Sequence, residues 1–199
     1  MSSPKLSVLV IGATGNIGDF ITSSLIEAKD AFSKITVFTS EATLSSKVEL
    51  LNKWKAAGVH VVTGDVTNPT DITRAYSGIE VVISCVGRAV LDQQQELIRL
   101  AEESESVQWF FPSEYGTDIE HNDKSPNERP HQVKLAVRKY IREHTKRLRV
   151  TYVVVGPYFE MWLGGGTSID QIGGFDLENN KAVLIGDGEG KIGFTTMSE

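Results

Sequence analysis

The sequence predicts an α/β fold with a doubly wound parallel sheet of strand order 3-2-1-4-5-6. Three observations carry this prediction. Apolar runs of strand length alternate with stretches of helical periodicity, the connections between them are short, and a glycine-rich turn follows the first apolar run.

The predicted strands are nearly continuous apolar runs, which is typical of strands buried on both faces of a parallel sheet. They cover residues 6–12, 35–39, 59–65, 80–87, 107–116 and 150–158. The first one, "LSVLVIG", contains no charged residue.

The predicted helices lie between these strands, over residues 16–28, 45–58, 68–78, 91–104 and 131–148. Asn68 is the expected N-cap of the third, with Pro69 in its first turn and Gly78 at its end. Ser46 and Glu49 fit a capping box at the start of the second. On the first helix, one face is predicted to carry Ile17, Phe20, Ile21, Ser24 and Ala28.

The end of the chain differs in composition, since it is rich in glycine after Tyr158. We therefore predict a dinucleotide-binding domain over residues 1–158 and a small, incomplete substrate-binding or lid region over residues 159–199. Within the latter, residues 182–194 predict two short strands around a glycine turn.

Composition excludes several classes of function. The 199 residues carry a net charge of −6, which argues against a nucleic-acid or anionic-membrane surface. No apolar stretch approaches the roughly 20 residues that span a bilayer, and the N-terminal segment does not fit a secretory signal. The single cysteine, Cys85, suits a reducing compartment, so we expect a cytoplasmic protein.

The segment "VLVIGATGNIG" places Gly12, Gly15 and Gly18 at a spacing of three, directly after the first strand. In such a strand–turn–helix unit, glycines permit a tight turn, a close approach to a pyrophosphate and close packing of the helix on the strand. The sequence therefore predicts the NAD(P)-binding Rossmann fold.

The end of the second strand decides which dinucleotide is expected. An NAD site places an acidic residue there to bind the ribose hydroxyls, whereas this strand ends at Thr39 and Ser40. Lys47 follows shortly and is a candidate cation for a 2′-phosphate, a contact worth about 1.5–3 kcal/mol. Lys47 also fits an ordinary solvated helix position. We predict NADP(H), with NAD(H) as the less favoured cofactor.

The segments "IGATGNIG", "FFPSEYGTD" and "HQVKLAVRKYIRE", in this order, resemble the NmrA-like and isoflavone reductase-like proteins. These are atypical short-chain dehydrogenases with an NAD(P)-binding Rossmann domain. The resemblance covers nearly the whole chain. Members of the family normally continue well beyond "KIGFTTMSE", so we expect the usual C-terminal portion to be missing.

The resemblance implies a set of cofactor-binding residues. For the pyrophosphate they are Gly12, Thr14, Gly15, Asn16, Ile17 and Gly18. For the 2′-phosphate, Lys47 matches the family's lysine, but Thr39 stands where the reductases have an arginine. The nicotinamide side is implied to include Ser84, Cys85, Val86, Gly87, Pro112, Ser113 and Glu114. The predicted set also includes Ser40, Asp65, Lys134, Pro157 and Tyr158.

Lys134 is the candidate catalytic residue, because it matches the lysine that the family uses on the helix after "FFPSEYG". The Tyr-x-x-x-Lys pair of most short-chain dehydrogenases does not occur in this sequence. A desolvated lysine can have a pKa of about 7–8 and can then donate and accept a proton. The alternative is a solvated basic stripe, because Lys134, Arg138 and Arg142 recur at helical spacing.

Other chemistries have little support in the sequence. The four histidines lack a metal-ligand spacing, so no metal is expected, and no nucleophile elbow occurs. The favoured hypothesis is an NADP-dependent reductase acting on a small aromatic or polyketide-like acceptor. The alternative is a non-catalytic dinucleotide sensor that acts through a protein partner. The sequence does not indicate an oligomeric state.

Overall fold

The computed structural model describes residues 4–121, 129–163, 173–184 and 186–198. Their contacts divide the chain into two units. The first comprises Met1–Glu114 and Ile119–Val153, and the second comprises Tyr115–Asp118 and Val154–Glu199. This divide lies between Val153 and Val154, and the domain boundary expected after residue 158 stays a prediction.

The first unit contains a six-stranded parallel sheet of order β3-β2-β1-β4-β5-β6, which confirms the predicted topology. Its strands are β1 (Leu6–Ile11), β2 (Phe32–Thr39), β3 (His60–Thr63), β4 (Val81–Ser84), β5 (Trp109–Phe111) and β6 (Arg149–Val150). Its helices are α1 (Asn16–Glu27), α2 (Glu41–Ser46), α3 (Val48–Ala56), α4 (Pro69–Tyr76), α5 (Gln94–Glu103) and α6 (Arg129–His144).

The centre of the sheet is the most deeply buried part of the unit. Leu9, Val10 and Val37, on β1 and β2, are fully buried, as expected for strands that are covered on both faces. Helices α4, α5 and α6 pack in sequence beside one another, and α1 contacts β1. Apolar side chains from these helices and from β4 and β5 complete the core.

Local signals predicted the ends of α4 correctly. The side chain of Asn68 accepts a hydrogen bond from the backbone N–H of Thr70 at 3.0 Å, Pro69 is the first helical residue, and Gly78 has a φ of +69°. The capping box at Ser46 and Glu49 was wrong. The helix starts earlier, at Glu41, with Ser40 as its N-cap, and a break at Lys47 separates α2 from α3.

The face of α1 that carries Ile17, Phe20, Ile21, Ser24 and Ala28 is only partly buried. Phe20 is 43% exposed and Ser24 is exposed, whereas Gly18 and Thr22 are buried. A side chain on Gly18 would overlap the carbonyl oxygen of Gly12, so its absence lets α1 approach the preceding turn closely. Close backbone packing, rather than apolar periodicity, selects the buried face of this helix.

The second unit, described by itself, contains α7 (Phe159–Leu163) and an antiparallel pair, β7 (Gly174–Asp176) and β8 (Lys181–Val183). The predicted strand pair over residues 182–194 was wrong. β8 pairs with the segment before it, and the described residues 186–194 contain no strand. Within the parts of the chain that the structure describes, no helix combines the length and apolarity that crossing a membrane requires.

Candidate active site

A cleft of about 780 Å³ lies at the carboxyl ends of β1 to β4, where doubly wound sheets bind their ligands. The residues that line it come from the glycine turn, from the ends of β2 and β3, from α2 and α4, and from the segment after β4. They are Ile11, Gly12, Thr14, Phe38, Thr39, Ser40, Glu41, Ala42, Thr43, Thr63, Gly64, Asp65, Val66, Asp71, Arg74, Val86, Gly87 and Val90.

The glycine turn has a geometry that only glycine tolerates. Gly12 has a φ of +81°, and a Cβ atom there would lie 2.5 Å from the carbonyl oxygen of Cys85. The Gly15 N–H donates to the Gly12 carbonyl at 3.1 Å, and Gly15 is the N-cap of α1 without a side-chain cap. The first turn of α1, including Asn16 and Ile17, therefore presents uncapped backbone N–H groups, a cradle that fits a phosphate.

The end of β2 contributes hydroxyl groups to the cleft. Thr39 and Ser40 line it, and the Ser40 hydroxyl accepts a hydrogen bond from the Thr43 N–H at 3.2 Å. Lys47 does not line this cleft. It lies at the junction of α2 and α3, beside a separate depression formed by residues 45–50.

The end of β3 adds a carboxylate to the cleft. Asp65 accepts hydrogen bonds from the backbone N–H and the hydroxyl of Thr67, both at 2.8 Å. These two bonds lower the pKa of the Asp65 carboxyl below its ordinary value. Asp65 is therefore a charged acceptor at neutral pH.

The segment after β4 is tied to the turn after β5. Val86 and Gly87 line the cleft, whereas Ser84 and Cys85 are buried and lie outside its lining. The hydroxyl of Ser113, which follows Pro112, donates to the Val86 carbonyl at 3.0 Å. The Ser113 N–H donates to the side-chain oxygen of the buried Gln94 at 2.6 Å.

A buried ion pair holds the next residue of that turn. The Glu114 carboxylate accepts two hydrogen bonds from Arg138, each of 3.0 Å, and their side chains are 2% and 5% exposed. Arg138 also donates to Glu120 at 2.9 Å and lies over the ring of Tyr152, 4.7 Å from its centroid. Burial alone would lower the pKa of Arg138, but its bonds to both carboxylates raise it.

Lys134 lies one helical turn before Arg138 and donates from Nζ to the backbone carbonyl of Glu114 at 2.5 Å. Burial lowers the pKa of the Lys134 amine below its ordinary value, against the opposing effect of the Glu114 charge. The positive charges of Arg138 and Arg88 lower it further. The interpretation of this helix face as a solvated basic stripe is wrong for Lys134 and Arg138.

The structure thus connects Lys134 to the cleft through the Ser113–Glu114 turn and the Val86 carbonyl. Pro157 and Tyr158 belong to the second unit, where the Pro157 carbonyl accepts from the Thr195 N–H at 3.1 Å and Tyr158 pairs with Thr195. The cofactor roles assigned to the predicted residues stay predictions. The described residues contain no group of three or more side chains suited to a metal ion.

Sequence reasoning missed Arg74 of α4, the only basic side chain among the described residues that line the cleft. It also missed Gln94 and Arg138 as supports of the turn after β5. The spacing of Asp71 and Arg74 indicates an ion pair along a helix, but no pattern in the sequence indicates that Arg74 bonds to the end of β3 and lines the cleft.

Comparison with known proteins agrees with this geometry. The model of the NmrA-like family matches residues 4–171. An isoflavone reductase homolog of Solanum tuberosum is 32% identical over 194 residues, which are 96% of this chain and 60% of that protein. Phenylcoumaran benzylic ether reductase PT1 of Pinus taeda is 29% identical, over 94% of this chain and 59% of that protein.

Solved structures show the same fold. The crystal structure of an isoflavone reductase superposes with a TM-score of 0.80 at 24% identity, over 98% of this chain and 62% of the other. The structure of AtPrR2 with NADP+ and (+)pinoresinol has a TM-score of 0.73 at 25% identity, over 83% and 56% of the two chains. The chain spans about three-fifths of the length of its curated relatives. By the match of the family model, the chain belongs to the NmrA-like family, and it is similar in sequence to an isoflavone reductase homolog.

Proposed function

We propose that the chain is part of a cytoplasmic, NADP(H)-dependent reductase that acts on a small aromatic or polyketide-like acceptor, with Lys134 as the proton donor. The observation that carries this proposal is the half-buried amine of Lys134, hydrogen-bonded to the turn that contacts the lining of the cleft. Relatives described as reductases, and a related structure with NADP+ and (+)pinoresinol, support the cofactor and the substrate class.

The cofactor part of the proposal depends on the glycine turn and the end of β2. The uncapped N-terminus of α1 would hold the pyrophosphate, with Gly12 permitting a close backbone approach. The hydroxyls of Thr39 and Ser40 do not repel a 2′-phosphate, as an acidic residue there would. Bound NADPH would supply the hydride that the acceptor takes up.

The protein supplies the proton and its position. One proton of the Lys134 amine is held by the Glu114 carbonyl, which fixes the direction of Nζ and leaves its other protons for an acceptor. Because burial lowers the pKa of this amine, proton donation costs less free energy than from a solvated lysine. The pair of Glu114 and Arg138 fixes the backbone to which the amine is bonded.

The test compares Lys134→Ala with Lys139→Ala on the same helix. Lys139 is a matched control, since its side chain is 71% exposed and its contact with Glu143 is long, at 3.9 Å. Binding of NADPH is measured by fluorescence titration, and turnover by NADPH oxidation with a panel of aromatic enones, carbonyls and benzylic ethers.

We expect Lys134→Ala to lower kcat by about 10²- to 10⁴-fold, as for loss of a general acid. The Kd for NADPH should stay within about threefold of the wild-type value, because the lysine acts on the acceptor. Lys139→Ala should match the wild type in both measurements. Retained turnover in Lys134→Ala would exclude Lys134 as the proton donor. The sensor hypothesis would be favoured if the chain binds NADPH but turns over no acceptor, and if a chain as long as the relatives behaves in the same way.

A further inference from the structure

The described side chains that line the cleft include more acidic than basic residues. Of the lining residues that the structure describes, three carry carboxylates, Glu41, Asp65 and Asp71, and one is a cation, Arg74. A dianionic 2′-phosphate needs a positively charged partner. Lys47, the cation expected from the sequence, lies outside this lining.

Arg74 is anchored beside the end of β2 although it belongs to α4. Its Nη2 donates to the carbonyl of Thr63 at 2.8 Å. Thr63 pairs directly with Thr39 in the sheet, and the next residue, Gly64, donates its N–H to the Thr39 carbonyl at 3.0 Å. The guanidinium is therefore held one strand away from Thr39, the position at which the resemblance implies an arginine.

The ion pair with Asp71 orients Arg74 without using all of its donors. Nη2 lies 2.9 Å from Asp71 Oδ1, and Asp71 Oδ2 accepts from the Asp65 N–H at 3.0 Å. Among the described residues, none accepts a hydrogen bond from Nε or Nη1 of Arg74. The side chain is 60% exposed, so these donors are accessible to a ligand in the cleft.

Neutral donors lie on the α2 side of the same cleft. The hydroxyls of Ser40 and Thr43 are 3.1 Å apart, both residues line the cleft, and Ser40 directly follows Thr39. The same cleft therefore offers a phosphate hydroxyl groups from the α2 side and a guanidinium from α4. Arginine binds phosphate more specifically than a flexible lysine, because its donors form a planar fork.

We propose that Arg74 holds the 2′-phosphate of NADP(H), in place of an arginine at residue 39 and instead of Lys47. The inference rests on the cofactor part of the proposed function and is independent of Lys134 and of the acceptor. It assigns the preference for NADP(H) over NAD(H) to a side chain of α4.

The experiment measures calorimetric affinities of the whole chain for two fragments, 2′,5′-ADP and 5′-AMP, and for NADPH and NADH. The fragments 2′,5′-ADP and 5′-AMP lack the nicotinamide, so their measured affinities do not depend on turnover. The variants are Arg74→Gln, Arg74→Lys and the matched control Lys47→Gln, which removes one positive charge from the neighbouring surface. Circular dichroism checks that each variant is folded.

We expect Arg74→Gln to weaken 2′,5′-ADP and NADPH about 10- to 100-fold, the loss expected for a charge-assisted hydrogen bond. Affinity for 5′-AMP and NADH should change little, Arg74→Lys should retain part of the preference, and Lys47→Gln should behave as the wild type. The inference is overturned if Arg74→Gln weakens the phosphorylated and unphosphorylated ligands equally, or if the selective loss occurs in Lys47→Gln. If the wild-type chain binds none of the four ligands, the proposed function fails as well.

Discussion

The buried pair of Glu114 and Arg138 predicts a large and specific loss of stability on substitution of the arginine. Arg138→Met keeps much of the apolar stem but removes the charge, which leaves the Glu114 carboxylate buried at 2% exposure without its bidentate partner. Breaking a buried ion pair in this way typically costs about 3–5 kcal/mol. Loss of the contact with Tyr152 adds to the cost.

For a chain of this size, each kcal/mol lowers Tm by about 2–4 °C, so the expected decrease is about 6–20 °C. The control is Arg142→Met on the same helix. Arg142 donates to the same Glu120 at 2.9 Å, but its side chain is 55% exposed. An exposed pair contributes about 0–1 kcal/mol, so the control should lose at most about 4 °C.

Thermal and urea unfolding, followed by circular dichroism, measure both variants. A double variant that combines Glu114→Leu with Arg138→Met separates the cost of a buried charge without its partner from the cost of lost packing. Replacing both members of a buried pair by apolar residues is often nearly neutral, so the double variant should be more stable than Arg138→Met alone. The reasoning is refuted if Arg138→Met and Arg142→Met lose similar stability, or if the double variant is the least stable.

Two further predictions concern the glycine turn and the amine of Lys134. Gly12→Ala should destabilise the chain and abolish NADPH binding in a fluorescence titration, because the new Cβ would lie 2.5 Å from the Cys85 carbonyl oxygen. Gly58→Ala, with a φ of +97° but open space around it, should cost only the left-handed backbone strain of about 1–2 kcal/mol and should bind normally. Burial lowers the pKa of Lys134 from 10.5, so the unfolded chain binds more protons between the folded pKa and 10.5. Stability from urea unfolding should therefore gain a rising contribution with pH in that window, and this contribution should be missing in Lys134→Met.

The fold followed from local signals in the sequence. Strands that are buried in a parallel sheet appear in the sequence as continuous apolar runs. The two ends of α4 are marked by Asn68, Pro69 and Gly78. The glycine turn was predictable for the same reason, because its geometry depends on local structure. The strand end, the left-handed glycine, the helix cap and the small helical residue follow one another in the chain.

Features that depend on contacts across the fold were not predictable. The exposure of Phe20 on α1 does not follow from apolar periodicity, although the glycine motif predicted the close packing of this helix at Gly18. In the second unit, β8 pairs with β7, the strand that precedes it in the chain. Arg74 bonds to Thr63 at the end of β3, and this places it one strand away from β2 only because β3 pairs with β2 and α4 follows β3.

In the sequence, Lys134 and Arg138 look equivalent, because both are cations on one face of a helix. In the structure, they bond to different groups of the same residue, Glu114. Arg138 occupies the Glu114 carboxylate with a bidentate contact, so Lys134 is left with the Glu114 carbonyl. A direct pair with the carboxylate would stabilise the charged amine and raise its pKa, whereas a carbonyl does so less. Arg138 therefore has two effects: it satisfies the buried carboxylate, and it prevents that carboxylate from cancelling the desolvation that lowers the pKa of Lys134. The same ion pair that stabilises the turn therefore leaves the pKa of Lys134 below its ordinary value, which would make its protonated form a stronger acid in the proposed proton donation.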